Sequence, residues 1–191
     1  MRKLFVAPAA ALLLASCVTQ RSTEVKPAGN PTVPNGPVAF KDTNLEAVVR
    51  AALKKPQGVI TRKEIASLET LKANNAGISD LTGLEYATNL TNLALYNNKV
   101  TTLGPLATLT KLTNLSLLDN QITDLVPLAK LPKLKWLALN DNRVTDVAPL
   151  AGLSSLAKLY LGNNKISTIA PLADLTKLTR LYLHKTKSPM P

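Results

Sequence analysis

The chain has 191 residues and a formal net charge of +11, with one cysteine and one histidine. A single cysteine excludes an intramolecular disulfide, and one cysteine with one histidine, His184, is too few for the usual His/Cys zinc sites. We therefore expect no enzymatic activity, no metal and no cofactor, and stability that comes from a packed core.

The first 16 residues have the pattern of a bacterial targeting segment. Met1-Arg-Lys gives a positive start, residues 4–14 are mostly apolar, and Leu14-Ala-Ser-Cys17 ends the stretch. The apolar run is too short to span a bilayer, so residues 1–16 are predicted to be a signal peptide. The last four residues resemble the lipobox of bacterial lipoproteins, which implies that Cys17 carries the lipid, palmitate included. The alternative is an ordinary secretory signal with a chance cysteine.

Residues 17–38 are predicted to be the lipidated cysteine and a tether without a core. Four prolines and two glycines fall in this stretch. Twenty such residues would reach on the order of 25 Å as a coil and about 60 Å as polyproline helix. By resemblance to lipoproteins, Val18 in place of an aspartate favours the outer membrane over the inner one. The predicted location is thus the bacterial cell envelope.

Residues 39–67 are predicted to form a helical N-terminal cap. Thr43-Asn-Leu-Glu46 has the form of a capping box that opens an amphipathic helix. A second box, Thr61-Arg-Lys-Glu64, opens a shorter helical turn. Repeat arrays need such capping segments because their terminal units would otherwise expose the core.

A 22-residue repeat fills residues 68–187, with five full copies and a partial sixth. The fullest copy begins Leu112-Thr-Asn-Leu115-Ser-Leu117-Leu-Asp-Asn120 and contains Pro127-Leu128-Ala in its second half. The alternating leucines predict a strand with one buried face, the asparagine predicts a buried amide that bonds the backbone, and the proline predicts a short 3-10 turn. One copy cannot bury its apolar face alone, so the copies must stack into a solenoid.

The period, the Ile-Thr-Asp-Leu-x-Pro-Leu-Ala second half and the helical cap resemble bacterial internalin-type leucine-rich repeat proteins. The resemblance covers residues 39–186. It implies an α/β solenoid with a parallel sheet on its concave face, 3-10 turns on its convex face, and a macromolecular partner bound on the concave side. We expect the chain to be a monomer.

Candidate binding residues are those at outward strand positions, where packing does not dictate the side chain. Four of the six aromatic residues that remain after the signal peptide fall on this face. Exposed aromatic and arginine side chains are frequent binding anchors, although neighbouring rings can also simply cover one another. The predicted partner-binding residues are Tyr96, Leu118, Asp119, Trp136, Asn140, Asp141, Lys158, Tyr160, Arg180 and Tyr182.

Asp119 and Asp141 occupy equivalent positions of neighbouring copies, about 4.8 Å apart along the sheet. Such a pair could in principle serve a retaining glycosidase or, with Asn97 and Asn163, ligate calcium. An open face without a cleft argues against both uses. We expect the two carboxylates to be solvated or to meet a basic group of a partner.

Two classes of partner remain open. The first is a protein, which would make the chain an adhesin or an envelope scaffold. The second is an anionic glycan or lipopolysaccharide, because residues 111–191 hold eleven Lys and Arg against five Asp and Glu. Nucleic acid is not expected in this compartment.

Overall fold

The computed structural model describes residues 35–185, and Cys17 and the predicted signal peptide lie outside this range. Two helices come first, α1 (Thr43–Ala52) and α2 (Arg62–Ala66). Six three-residue strands follow at the repeat period: β1 (Thr70–Lys72), β2 (Asn92–Ala94), β3 (Asn114–Ser116), β4 (Trp136–Ala138), β5 (Lys158–Tyr160) and β6 (Arg180–Tyr182). They form one parallel sheet in chain order, and each residue pairs with the residue 22 positions later.

Five 3-10 turns form the convex side, at Leu84–Tyr86, Gly104–Thr108, Val126–Lys130, Ala148–Leu150 and Ala170–Leu172. The last four contain a proline in their first two positions, where the missing N–H would have no helical partner. Strands and turns enclose a continuous leucine core. The structure thus confirms the predicted fold, a curved leucine-rich repeat solenoid with a helical cap.

A ladder of four buried asparagines joins each repeat to the one before it. In the central copy, the Asn120 side-chain amide donates to the carbonyls of Leu95 and Leu117, at 2.9 and 3.1 Å. Its oxygen accepts the N–H of Val100 at 3.0 Å. Asn98, Asn142 and Asn164 repeat these bonds. The predicted structural role of the asparagines is confirmed.

The first repeat has Ala76 where the later copies have the asparagine. The backbone groups of this turn are still hydrogen-bonded, because the Asn98 side chain accepts from the Ile78 N–H and donates to the Ala73 carbonyl. Each ladder asparagine therefore serves the copy before its own. An amide at position 76 would have no earlier repeat to bond, which explains why alanine suffices there.

The helical cap is joined to the first repeat by Asp42, which the sequence reading missed. Asp42, not Thr43, is the N-cap of α1, so the predicted first capping box is wrong. One carboxylate oxygen accepts the backbone N–H groups of Asn44 and Leu45, at 2.9 and 3.0 Å. The other accepts the N–H and hydroxyl of Ser79, at 2.8 and 2.9 Å. The second predicted box is confirmed, with Thr61 and Glu64 bonded reciprocally at the start of α2.

Two carboxyl groups in the cap have lowered pKa values. Burial would raise the pKa of Asp42, but the hydrogen bonds from Ser79, Leu45 and Asp80 outweigh it and lower this pKa. Hydrogen bonds from Lys55 and Thr61 lower the pKa of Glu64 to about 2. Both groups therefore favour the folded state when they are ionised.

Asp42→Asn is expected to lower the melting temperature at neutral pH, because an amide cannot accept hydrogen bonds on both of its ends. The folded-state pKa of Asp42 is depressed, so its contribution is complete above the unfolded pKa of about 3.9 and is lost as the pH falls through the lower folded value. The difference in melting temperature between the two proteins should therefore shrink below about pH 4. Calorimetry from pH 7 to pH 2 measures it, and a difference that is constant with pH would contradict the assignment.

Candidate functional site

The concave face is an open sheet whose backbone bonding continues beyond the short strands. The N–H groups of Asn75, Asn97 and Asp119 still donate to carbonyls of the next repeat, at 2.9–3.0 Å. Buried leucines fix the inner side, so alternate residues of each copy point away from the core. This regular frame positions every predicted site residue.

Three of the predicted aromatic residues form one group, which we call the ring cluster: Trp136, Tyr160 and Tyr182. The Tyr160 and Tyr182 rings stack nearly parallel, with centroids 4.7 Å apart. The Trp136 ring meets Tyr160 at 5.9 Å and 56°. The cluster runs across β4, β5 and β6. Tyr160 and Tyr182 are register partners on adjacent strands, whereas Trp136 lies two positions earlier in its repeat, opposite Lys158, and reaches Tyr160 diagonally.

The rings cover one another only in part. Trp136 and Tyr160 are half-buried, whereas Tyr182 at the end of the stack is 45% exposed. Mutual covering of neighbouring rings and a surface that is free for a partner are thus both present. Tyr96 is 39% exposed and lies in an earlier repeat, and no ring contact is described for it among residues 35–185.

A groove of about 440 Å³ lies beside the ring cluster, over the first five strands. We call it the concave groove. Its floor is low because β2 and β3 end in the small residues Ala94 and Ser116. Trp136 on β4 and Lys158 on β5 line its end nearest the ring cluster. Its lining residues are Thr70, Leu71, Lys72, Asn92, Leu93, Ala94, Asn114, Ser116, Trp136 and Lys158.

Sequence reasoning missed most of this groove. Trp136 and Lys158 were predicted as site residues, but Lys72, Asn92, Asn114 and Ser116 were not. The available signal was the succession of small residues at one outward position, Ala94, Ser116 and Ala138, followed by Tyr160 and Tyr182. That change from small to large side chains predicts a groove over the small residues, bordered by the aromatic rings.

Asp119 and Asp141 lie in a different place from the ring cluster. Each follows its strand and has a left-handed backbone, with φ of 55° and 56°. The equivalent residues Asn75, Asn97, Asn163 and Lys185 share this conformation. Asparagine and aspartate tolerate it better than most residues, so the turn itself explains why acids and amides occur here.

A second hollow of about 450 Å³ runs along these turns and contains Asp119 and Asp141 together with Arg143, Lys165 and Lys185. Asp141 accepts a hydrogen bond from the Asn163 amide at 2.6 Å. No group of three or more His, Cys, Asp or Glu side chains within residues 35–185 is arranged to hold a metal ion. The arrangement is a solvated row of mixed charge.

The remaining predicted residues are dispersed. Asn140 accepts the backbone N–H of Gly162 at 2.8 Å, so its side chain has a structural bond. Leu118 is half-buried, and Arg180 is exposed at the start of β6. Gly162 itself lies under His184, since a Cβ there would be 2.7 Å from the imidazole ring.

The leucine-rich repeat family matches this chain in four overlapping pairs of repeats, over residues 88–130, 110–152, 132–173 and 154–188. These matches together span more than half of the sequence. The chain belongs to the leucine-rich repeat family. Leucine-rich repeat proteins are in general protein-interaction modules, and the internalin-type solenoid is a binding scaffold.

Solved structures place the repeats among those of internalin type. An internalin from Listeria monocytogenes is 35% identical with a TM-score of 0.79, over 82% of this chain and 48% of its own. A leucine-rich repeat protein from Leptospira interrogans is 34% identical with a TM-score of 0.58, over 65% of this chain and 34% of its own. The functional domain of InlJ from Listeria monocytogenes shares the fold. It is 24% identical with a TM-score of 0.58, over 84% of this chain and 46% of its own.

This leucine-rich repeat chain spans about half the length of the two Listeria chains just described. No curated protein sequence matches it. Within residues 35–185, neither helix has the length and apolar character that a membrane crossing requires.

Proposed function

We propose that this leucine-rich repeat chain is an envelope lipoprotein whose concave face binds a protein partner, as an adhesin or an envelope scaffold. The observation that carries the proposal is the ring cluster. A leucine-rich repeat needs no aromatic residues on its outer strand positions, yet three rings meet there and leave Tyr182 exposed. Large amphipathic rings of this kind are frequent hot spots of protein interfaces.

Cations around the cluster support a partner with acidic groups. Lys158 and Arg180 occupy the same register position as Trp136 on the two following strands. A protein that buries the rings would bring its own carboxylates close to both cations. The charges would then mainly speed the encounter, whereas the rings would hold the complex.

Binding of an anionic glycan or lipopolysaccharide is the second candidate. It is favoured by the excess of Lys and Arg in the C-terminal half and by Arg143, Lys165 and Lys185 along the second hollow. Affinity for such a ligand would come chiefly from charge.

The two candidates differ in their dependence on salt. We would capture binding molecules from envelope extracts with the purified chain and measure their affinity from 0.05 to about 1 M salt, over which the Debye length falls to about 3 Å. A protein held by the rings should lose only a minor part of its affinity. An anionic glycan or lipid should lose most of its affinity, and that result would replace the first candidate by the second.

Cys17→Ser is expected to leave the protein in the soluble or unprocessed fraction, because the substituted chain has no thiol to acylate. Several acyl chains give firm attachment, whereas a chain without them has only the tether, which contains no membrane-binding pattern. Fractionation of bacterial cells followed by a carbonate wash measures this. Partition of the processed variant with membranes as strong as that of the wild type would refute the proposed lipid anchor.

A further inference from the structure

We infer that the concave groove takes an extended acidic segment of the protein partner, laid across β1 to β5 with a carboxylate at each end. The inference rests on the proposed function and assigns the groove a ligand of defined chemistry. It follows from the positions of the charges, the low floor and the length of the groove.

Charge is present only at the two ends of the groove. Lys72 lies on β1, and Lys158 lies on β5. The residues between them on β2 and β3 are amides, a hydroxyl, an alanine and a leucine, and no Asp or Glu occurs among the ten lining residues. Neither lysine forms an ion pair within residues 35–185, where the described pairs are Arg50–Glu46 and Lys55–Glu64. Both lysines are thus free to meet anions.

The spacing of the two lysines sets the length of the ligand. Four strand intervals of about 4.8 Å separate β1 from β5, or about 19 Å. An extended peptide advances about 3.3 Å per residue, so two acidic residues about six positions apart would reach both lysines. A uniformly charged polyanion fits less well, because its central charges would lie over the neutral middle of the groove.

The floor and wall of the groove suit a peptide backbone. Ala94 and Ser116 are small enough to let a main chain approach the sheet, and the Asn114 amide can donate to it and accept from it. Trp136 offers a half-buried ring next to Lys158, where one acidic residue of the bound segment would lie. These contacts make the neutral middle of the segment a second source of affinity beside the two charges.

Trp136 also makes the groove directly observable, because it is the only tryptophan of the chain. We would titrate the purified full chain with a blocked ten-residue peptide of alanine and serine that carries two glutamates about six residues apart. Its matched control has glutamine in place of both glutamates, and dextran sulfate serves as the uniform polyanion. Tryptophan fluorescence gives the affinity for each probe.

The glutamate peptide should produce a saturable change in fluorescence and bind about two- to thirtyfold more tightly than the glutamine peptide, the sum expected for two exposed ion pairs. The double variant Lys72→Gln and Lys158→Gln should bind the glutamate peptide more weakly than the wild type does, by the same factor. The matched double variant Lys133→Gln and Lys177→Gln, which removes equal charge from exposed positions outside the groove, should bind as the wild type does. Melting curves confirm that each variant is folded.

Equal binding of the two peptides, equal losses in both double variants, or binding of dextran sulfate that is tighter than that of the glutamate peptide would overturn the inference. These failures are distinguishable from failure of the proposed function. If the glutamate peptide shows no preference but Trp136→Ala still abolishes binding of a captured protein, only the acidic-segment assignment falls. If Trp136→Ala leaves that protein bound, the proposed function falls.

Discussion

Leu117→Ala should destabilise the solenoid by about 2–5 kcal/mol, which is among the largest effects that a single substitution can have here. Leu117 follows β3 in the middle of the array and is completely buried. Truncation would leave a cavity between neighbouring repeats, and the regular strands on both sides restrict its collapse. Urea unfolding followed by circular dichroism measures the change.

Two companion variants sharpen this test. Asn120→Ala should cost less, about 1–3 kcal/mol, because it leaves the buried Val100 N–H without its acceptor. The Leu95 and Leu117 carbonyls lose one donor each but keep the amides of Asn98 and Asn142. Lys130→Ala, at an exposed position of the same repeat, should change stability by about 0.5 kcal/mol or less. Near-zero changes for Leu117 and Asn120 would mean that the buried positions of the repeat are wrongly assigned.

The solenoid was predictable because a strict period of 22 residues fixes which positions of each copy are buried and which face outward. Once Leu115 and Leu117 are placed inside, the equivalent leucines up to β5 are inside as well, and the outward positions follow. Leu181 and Leu183 of the last copy are only partly buried. The asparagine and proline positions add one buried amide and one 3-10 turn to each of the second to fifth copies. Repetition averages out the local ambiguity that limits predictions for a non-repeating chain.

The helical cap was predicted less well because its signals are not repeated. Thr43 and Asp42 are adjacent, and both side chains are good N-caps. What selects Asp42 is a contact 37 residues away in sequence, in which its second carboxylate oxygen accepts from Ser79. A short motif such as Thr-x-x-Glu carries no information about that tertiary bond.

The sequence predicted which residues lie on the binding face, but not how their side chains pack or how deep the groove is. Sequence places Trp136 and Tyr160 on the outer face, yet the tilt that brings their rings to 5.9 Å depends on side-chain conformation. The concave groove likewise depends on how far small side chains lower the floor between neighbours. Asp119 was predicted from its outward position and its pairing with Asp141, whereas its left-handed φ gives it a backbone role.

Trp136→Ala and Tyr160→Ala should each weaken binding of a captured protein partner by about 30-fold or more, the loss typical of a central aromatic hot spot. Both rings point away from the leucine core, so the core packing stays intact. Folding loses the ring contacts, worth about 0.5–1.5 kcal/mol, and the partial burial of each ring. Affinity should therefore fall far more than the melting temperature. Surface plasmon resonance with the captured protein, together with calorimetry of each variant, measures both quantities.

Lys111→Ala and Lys177→Ala provide the control for this last prediction. Both lysines are exposed at repeat boundaries, outside the ring cluster and the concave groove. Lys111 donates to the Asn89 amide oxygen at 2.6 Å, an exposed contact that contributes little to stability. Both variants should bind the partner nearly as the wild type does. A greater loss from these lysines than from the aromatic residues would move the binding surface to the rim or convex side, and charge would then dominate recognition, as expected for an anionic glycan or lipid.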